Sequence, residues 1–242
     1  MIKKIIPQFL KFFLKDNLLK IILGSNEISV SYSSAGEDVL LNYILMHKKN
    51  GFFIDVGAYH PTKGSNTYKF YINGWSGINI DAADDKIALF NEMRPRDINI
   101  NSMIGNKDGF SDFYLLENQD TMNSGSLEFY QKMNIDISKA KKVCVEIKKL
   151  GTILHELNFE GIIDLLTIDV EGMELDVLKS NDWEKFNPVI IMIENHCTEL
   201  HKIMELETTR FLANYKVIAF TTNEIIFLNS SYSLDEVGRV KY

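Results

Sequence analysis

The 242 residues are 45% hydrophobic, 11% aromatic and 24% charged, with four prolines and fourteen glycines, a composition that excludes a disordered or fibrous chain. A formal net charge of −7 argues against a nucleic-acid partner. Cys144 and Cys197 form neither a zinc-ligand spacing nor a disulfide framework, and a chain of this length buries enough surface, roughly 70%, to fold without either.

Met1–Leu23 holds Lys3, Lys4, Lys11, Lys15 and Lys20 against Asp16 alone, a net +4, so the rest of the chain sums to −11. Ile2, Ile5, Ile6, Phe9, Leu10 and Phe13 recur at helical spacing. Lys11 and Lys15 interrupt the apolar run that a secretory signal needs. Residues 1–30 are therefore expected to form a basic amphipathic helical segment. It would pack on the domain or on a partner subunit of a homo-oligomer, or rest on an anionic membrane surface. The longest stretch free of Asp, Glu, Lys and Arg is Phe70–Ile80, eleven residues, too short to span a bilayer. A cytoplasmic protein is expected, with peripheral contact at the inner membrane surface as an added feature.

One domain is expected over residues 31–242. Helical patterns cover Glu37–His47, Ser65–Asn73, Ala83–Met93, Glu171–Ser180 and Thr198–Ala213. Between them lie short apolar runs, Gly51–Val56, Gly77–Asp81, Asp97–Asn101, Ile162–Asp169 and Pro188–Ile193. Phe52-Phe53-Ile54 and Val189-Ile190-Ile191-Met192-Ile193 are apolar on both faces, as a parallel sheet covered by helices on each side requires. The alternation predicts a doubly wound α/β fold. Phe110–Leu116 and Val143–Leu150 read as further strands, and the polar segment Glu117–Lys142 between them as a lid or substrate loop. Tyr215–Thr221 and Glu224–Leu228 flank Thr222-Asn223 and read as a C-terminal hairpin.

Open α/β sheets bind ligands beyond the carboxyl ends of their strands. The first strand ends in Asp55-Val56-Gly57-Ala58-Tyr59-His60, where Gly57 permits a sharp turn and close backbone approach. Neither G-x-G-x-x-G nor a P-loop is present, which disfavours a nicotinamide oxidoreductase. Asp81 ends the second strand where an acid can accept hydrogen bonds from a ribose diol; capping of the following helix is the competing role. Asn101, Ser102 and Met103 follow the third strand, where a nucleobase would be bracketed. Asp169 and Glu171 leave the fourth strand two residues apart, on the same side if the chain stays extended. Glu194-Asn195-His196 follow the fifth. His196 is the candidate general base, its ordinary pKa lying near neutrality.

Together these segments read D-V-G-A-Y-H-P, then S-N-T-Y-x-F-Y-x-x-G-W-x-G-I-N-I-D, then D-L-L-T-I-D-V-E-G-M-E-L-D-V-L. The pattern resembles the FkbM-type S-adenosylmethionine-dependent methyltransferases over roughly Ser31 to His196. The resemblance implies a Rossmann-like class I methyltransferase fold with a mostly parallel seven-stranded sheet and a C-terminal antiparallel hairpin. It also implies methyl transfer to oxygen, often on sugars or polyketide-type metabolites. Carried over, Asp55, Gly57 and Ala58 match the first cofactor motif, and Asp81 with Ala82 the ribose-binding segment. Ser65, Asn66 and Thr67 match a segment near the methionine end, and Ser102 lies at the base-binding edge. Asp169, Glu171, Glu194 and His196 match acidic and histidine positions near the transferred methyl. The sequence departs where class I enzymes show G-x-G, since Tyr59 stands in place of the second glycine.

The expected activity is O-methylation of a sugar hydroxyl, on a small-molecule or nucleotide-linked sugar acceptor, in surface-polysaccharide or related biosynthesis. His196, Asp169 and Glu194 are the expected catalytic residues. Asp169, Glu194 and His196 are alternatively ligands for Mg²⁺ or Mn²⁺. The competing class is a Rossmann-like module that holds the cofactor, or serves as a scaffold, without chemistry.

Overall fold

The structure, a computed structural model, describes residues 29–45, 48–117, 119–138 and 140–235. The basic segment expected at residues 1–23 lies outside them. No helix among the described residues is long and apolar enough to cross a membrane.

The main sheet has seven strands: β1 (Phe52–Val56), β2 (Ser76–Asp81), β3 (Ile98–Asn101), β7 (Leu165–Ile168), β8 (Ile190–Glu194), β9 (Tyr215–Phe220) and β10 (Glu224–Asn229). Their order is β3-β2-β1-β7-β8-β10-β9. All pairings are parallel except those of β10, which runs against both β8 and β9. The chain leaves β1 in one direction through β2 and β3, then returns to β1's other side with β7. That reversal is the switch point where a crevice opens above the sheet.

The strands bury both faces because their apolar residues alternate between two helical layers. Ile54, Leu166, Ile191, Ile193 and Phe227 face one cluster, which includes Leu150, Ile153 and Leu154 of α5 (Leu150–Glu156) and Val177 and Leu178 of α6 (Glu174–Ser180). Phe53, Leu165, Ile190, Met192 and Ile226 face the other, with Leu41 of α1 (Glu37–Ile44) and Tyr68, Phe70 and Tyr71 of α2 (Tyr68–Ile72). Helix α3 (Asp84–Met93) buries Ile87 and Phe90.

A second, three-stranded sheet adds β4 (Met103–Ile104), β5 (Gly109–Leu115) and β6 (Lys141–Lys148) in the order β4-β6-β5. The 117–142 segment connects β5 to β6. It carries a 3₁₀ turn, Asp120–Met122, and helix α4 (Leu127–Lys132), started by Ser126, whose Oγ accepts from the Phe129 N–H.

Several boundaries differ from expectation. The helix expected at 65–73 shrinks to α2, because Ser65–Thr67 belong to an irregular loop held by side chains. The helix expected at 198–213 is two short ones, α7 (Leu200–Ile203) and α8 (Glu207–Phe211). Helices α4 and α5 had no counterpart in the sequence reading, since each is only six or seven residues long and too short to show a helical period.

Candidate active site

A cavity of about 380 Å³ lies over the carboxyl ends of β1, β2, β7 and β8. Asp55, Gly57, Ala58, Asn66, Asp81, Ala82, Ser102, Asp169, Glu171, Glu194 and His196 all line it. Thr67, also expected there, does not; it is fully buried behind Asp55.

At the β1 exit the expected glycine turn forms at the cavity wall. Gly57 has φ +81°, and a Cβ there would lie 1.6 Å from the carbonyl oxygen of Asp169. The missing side chain therefore also lets the exits of β1 and β7 come together. Two residues later Tyr59 has φ +52°. It keeps the left-handed backbone that a second glycine would adopt, at a cost that surrounding contacts must cover. That conformation directs the Tyr59 N–H to Asp81 Oδ2 at 2.8 Å, while Ala83 N–H donates to Oδ1 at 2.8 Å. Asp81 thus closes the entry of α3 and faces the cavity at once. Burial raises its pKa to about 6 against the opposing pull of those two N–H groups.

Asp55 lines the cavity and also has a structural job. Its oxygens accept hydroxyl bonds from Thr67 (2.5 Å) and Thr167 (2.7 Å), so it fastens the 60–67 loop to the sheet. Arg94, fully buried at the end of α3, completes this anchor: it donates to Thr67 Oγ1 (2.8 Å), Asn79 Oδ1 (3.2 Å), Ser65 Oγ (2.7 Å) and the Pro61 carbonyl (2.8 Å). Burial lowers its pKa to about 10. Nothing in the sequence separates Arg94 from an ordinary surface arginine closing a helix.

Around Asp81 the wall is apolar or already paired. Met103, Ile104 and Phe113 line it, and buried Ser102 donates to the Met103 carbonyl at 2.9 Å. At the rim, Asp120 of the 3₁₀ turn pairs with Lys86 of α3 at 2.5 Å and accepts from Tyr59 Oη at 3.1 Å. Lys86 Nζ lies 4.6 Å from the Tyr59 ring centre. Sequence reading missed this cluster because its members lie on three separate elements.

Three strands along, at the β7 and β8 exits, carboxylates gather. Glu171 has φ +51° and Gly172 φ +93°, so the chain turns instead of staying extended, yet Asp169 and Glu171 both face the cavity. The 117–142 segment fixes that turn: Ser124 Oγ donates to the Glu171 carbonyl at 2.7 Å, and a Cβ on Gly172 would meet Phe129 Cβ at 2.7 Å. Tyr130 of α4 is buried, its hydroxyl accepting from Ser124 N–H at 2.7 Å.

Glu194 at the end of β8 lies 3.4 Å from His196 Nε2 and shares a hydrogen bond with Asp169. Across the β8–β10 pairing it faces Glu224, which no sequence signal marked. Burial first, and mutual repulsion second, push Glu171 and Glu194 up to about 8 and Asp169 and Glu224 well above the carboxylate range. Glu171 Oε2 and Glu224 Oε2 are buried with no hydrogen-bond partner. Of the other histidines, His60 accepts from the Thr62 and Lys63 N–H groups at 3.1 Å and braces its own loop.

The methyltransferase FkbM domain profile matches residues 55–215, which spans β1 to the start of β9 and includes every one of these side chains except Glu224. The chain belongs to the FkbM methyltransferase family. A search of the curated proteins finds no relative. Among solved structures, the methyltransferase is similar to a TehB-like S-adenosylmethionine-dependent methyltransferase from Corynebacterium glutamicum, at 10% identity and TM-score 0.42, covering 90% of this chain and 97% of that one. It is also similar to the C-terminal domain of precorrin-6Y C5,15-methyltransferase from Rhodobacter capsulatus, at 10% identity and TM-score 0.40, covering 85% and 91%.

The cavity of the methyltransferase fits S-adenosylmethionine, which supplies an electrophilic methyl on a sulfonium. Asp81, held by two N–H bonds, keeps lone pairs for ribose hydroxyls. Ala82, Met103, Ile104 and Phe113 offer an apolar wall for a base, and the carboxylates at the β7 and β8 exits suit a cationic ligand.

Proposed function

We propose that this methyltransferase moves the methyl group of S-adenosylmethionine to a hydroxyl oxygen of a sugar-type acceptor, free or nucleotide-linked, in surface-polysaccharide or related biosynthesis. The observation that carries the reading is the placement of acid and imidazole at the β7 and β8 exits. Three strand positions separate β2 from β8, about 14 Å at ordinary strand spacing, so ribose and acceptor ends occupy one cavity without competing. Asp81, Ala82 and Ser102 bind the nucleoside side; Asp55, Gly57, Ala58, Asn66, Asp169 and Glu171 face the methionyl side.

Methyl transfer needs acceptor oxygen, methyl and sulfur in line, so most of the protein's work is alignment. A sugar hydroxyl is a weak nucleophile while it keeps its proton. It is activated where Asp169, Glu194 and His196 meet, by proton removal or by coordination. The 117–142 segment, which lines the cavity through Asp120, Thr121, Asn123 and Gly125, closes over it and contacts the acceptor. A module that binds cofactor without chemistry has no use for a histidine and an acid beside the methyl.

Mass spectrometry of products formed from labelled S-adenosylmethionine and a panel of nucleotide sugars tests the acceptor class. Calorimetric titration with S-adenosylhomocysteine and with NAD tests the cofactor; binding of NAD alone would end the proposal. The basic segment at residues 1–23 is proposed to rest on anionic membranes. Full-length protein should then sediment with anionic liposomes and be released by salt. If it ignores them, and its deletion changes subunit number, the segment joins protomers instead.

A further inference from the structure

We propose that Glu171, Glu194 and His196 form a divalent cation site, best suited to Mn²⁺, that holds the acceptor hydroxyl beside the methyl group. This deepens the reading of the acceptor end and rests on it. One carboxylate oxygen from each glutamate and one imidazole nitrogen lie within 4.8 Å of one another. Around an octahedral ion with bonds of about 2.1 Å, neighbouring ligand atoms are about 3 Å apart and opposite ones just over 4 Å. The Glu194–His196 separation of 3.4 Å is close to the first value.

The independent observation is Glu171. Its side chain is 7% exposed, it lines the cavity, and its Oε2 has no hydrogen-bond partner. A buried carboxylate oxygen left without a donor is destabilising, and a positive ion in the cavity removes that cost. The fold also spends strain to put it there, holding Glu171 at φ +51° with Ser124 bonded to its carbonyl. Among the described residues, no lysine or arginine is ion-paired with Asp169, Glu171, Glu194 or Glu224. Two carboxylates and one imidazole favour Mn²⁺ over Mg²⁺, which accepts nitrogen less readily. His196 is half-exposed, so the remaining coordination positions open to the cavity mouth.

In this site the hydroxyl oxygen binds the ion and its proton is more easily lost. An oxygen lone pair forms the new C–O bond as the S–CH₃ pair returns to sulfur. The products are methyl ether, thioether and one proton released to water at the mouth. His196 is then a ligand and not the base, and Asp169 acts as a positioning residue that holds Glu194.

Titration of the full-length protein with Mn²⁺, followed by the EPR signal of free ion, should show one ion bound per chain. Glu171→Gln, Glu194→Gln and His196→Ala should each weaken that binding at least tenfold; Glu194→Gln and His196→Ala should still bind S-adenosylhomocysteine, which reports an intact fold, and the far-ultraviolet circular dichroism and melting temperature of Glu171→Gln should match the parent's. Asp81→Ala should do the reverse, keeping Mn²⁺ and losing the nucleoside. Absence of stoichiometric Mn²⁺ binding, or binding unchanged in Glu171→Gln and Glu194→Gln, overturns the cation site. If S-adenosylhomocysteine still binds in that case, the methyl-transfer reading survives it; if it does not bind the parent protein, that reading fails separately.

Discussion

The two ends of one cavity are built on opposite electrostatic plans. At the β2 end, Asp81, Ser102 and Asp120 are already fixed by the protein: Asp81 by two backbone N–H groups, Ser102 by the Met103 carbonyl, Asp120 by Lys86 and Tyr59. At the β8 end, four acids crowd together, and two of their oxygens are buried without a donor. The first plan makes a preformed mould that binds with little rearrangement. The second stores unfavourable charge that only a cation or a proton relieves. On the proposed reading, recognition and chemistry occupy separate ends of a single sheet edge.

The difference breaks first at His196. His196→Ala should lower turnover by about 10²–10⁴-fold with S-adenosylhomocysteine affinity within about threefold of the parent. Equal losses in turnover and affinity would mean that the two ends are not separate. At the other end, Asp81→Ala removes the acceptor of the ribose hydroxyls and should weaken S-adenosylhomocysteine at least tenfold, since hydrogen bonds to a charged group contribute roughly 1.5–3 kcal/mol each. Calorimetry showing unchanged affinity would reject that assignment.

The pH dependence sharpens the contrast further. Asp81 titrates at about 6, and only its ionised form accepts both ribose hydroxyls. Affinity should therefore fall as pH drops below about 6 and level off above it. Asp81→Asn should lack that step; a step of the same size in the variant assigns it to another group. The smallest effect belongs to the rim. Asp120 is half-exposed, and exposed ion pairs contribute about 0–1 kcal/mol. Asp120→Ala should change equilibrium affinity less than about threefold while speeding nucleoside release by a few-fold, as stopped-flow would measure. No change in either rate would show that the 117–142 segment does not close over this end.

Legibility in the sequence followed the range of the interaction. The β1 and β8 runs were visible because each is apolar on both faces, β2 and β7 as short apolar runs between helical patterns, and the hairpin from two strand-like runs around Thr222-Asn223. Asp81, Asp169, Glu194 and His196 were legible because they stand directly after such runs, and strand ends of a parallel sheet share one edge. The role of Asp55 was not, because its partner Thr167 lies 112 residues away. Burial of Tyr130 was not legible either: an aromatic residue in a polar segment looks available to a ligand until Ser124 and Phe129 close around it.

By itself, then, the sequence determined the layers, the direction of the strands and which strand ends carry acids, since these follow from apolar periodicity and from residues adjacent in the chain. Only the tertiary structure decided which polar groups are left with partners. Glu224 joins the acids because β10 inserts beside β8, and it meets Asn66 across 158 positions of chain. Glu171 faces inward because the 117–142 segment, through Ser124, 47 residues earlier, pins its turn. Satisfaction of a buried carboxylate depends on every group within a few ångströms, and chain folding, rather than chain order, brings those groups together.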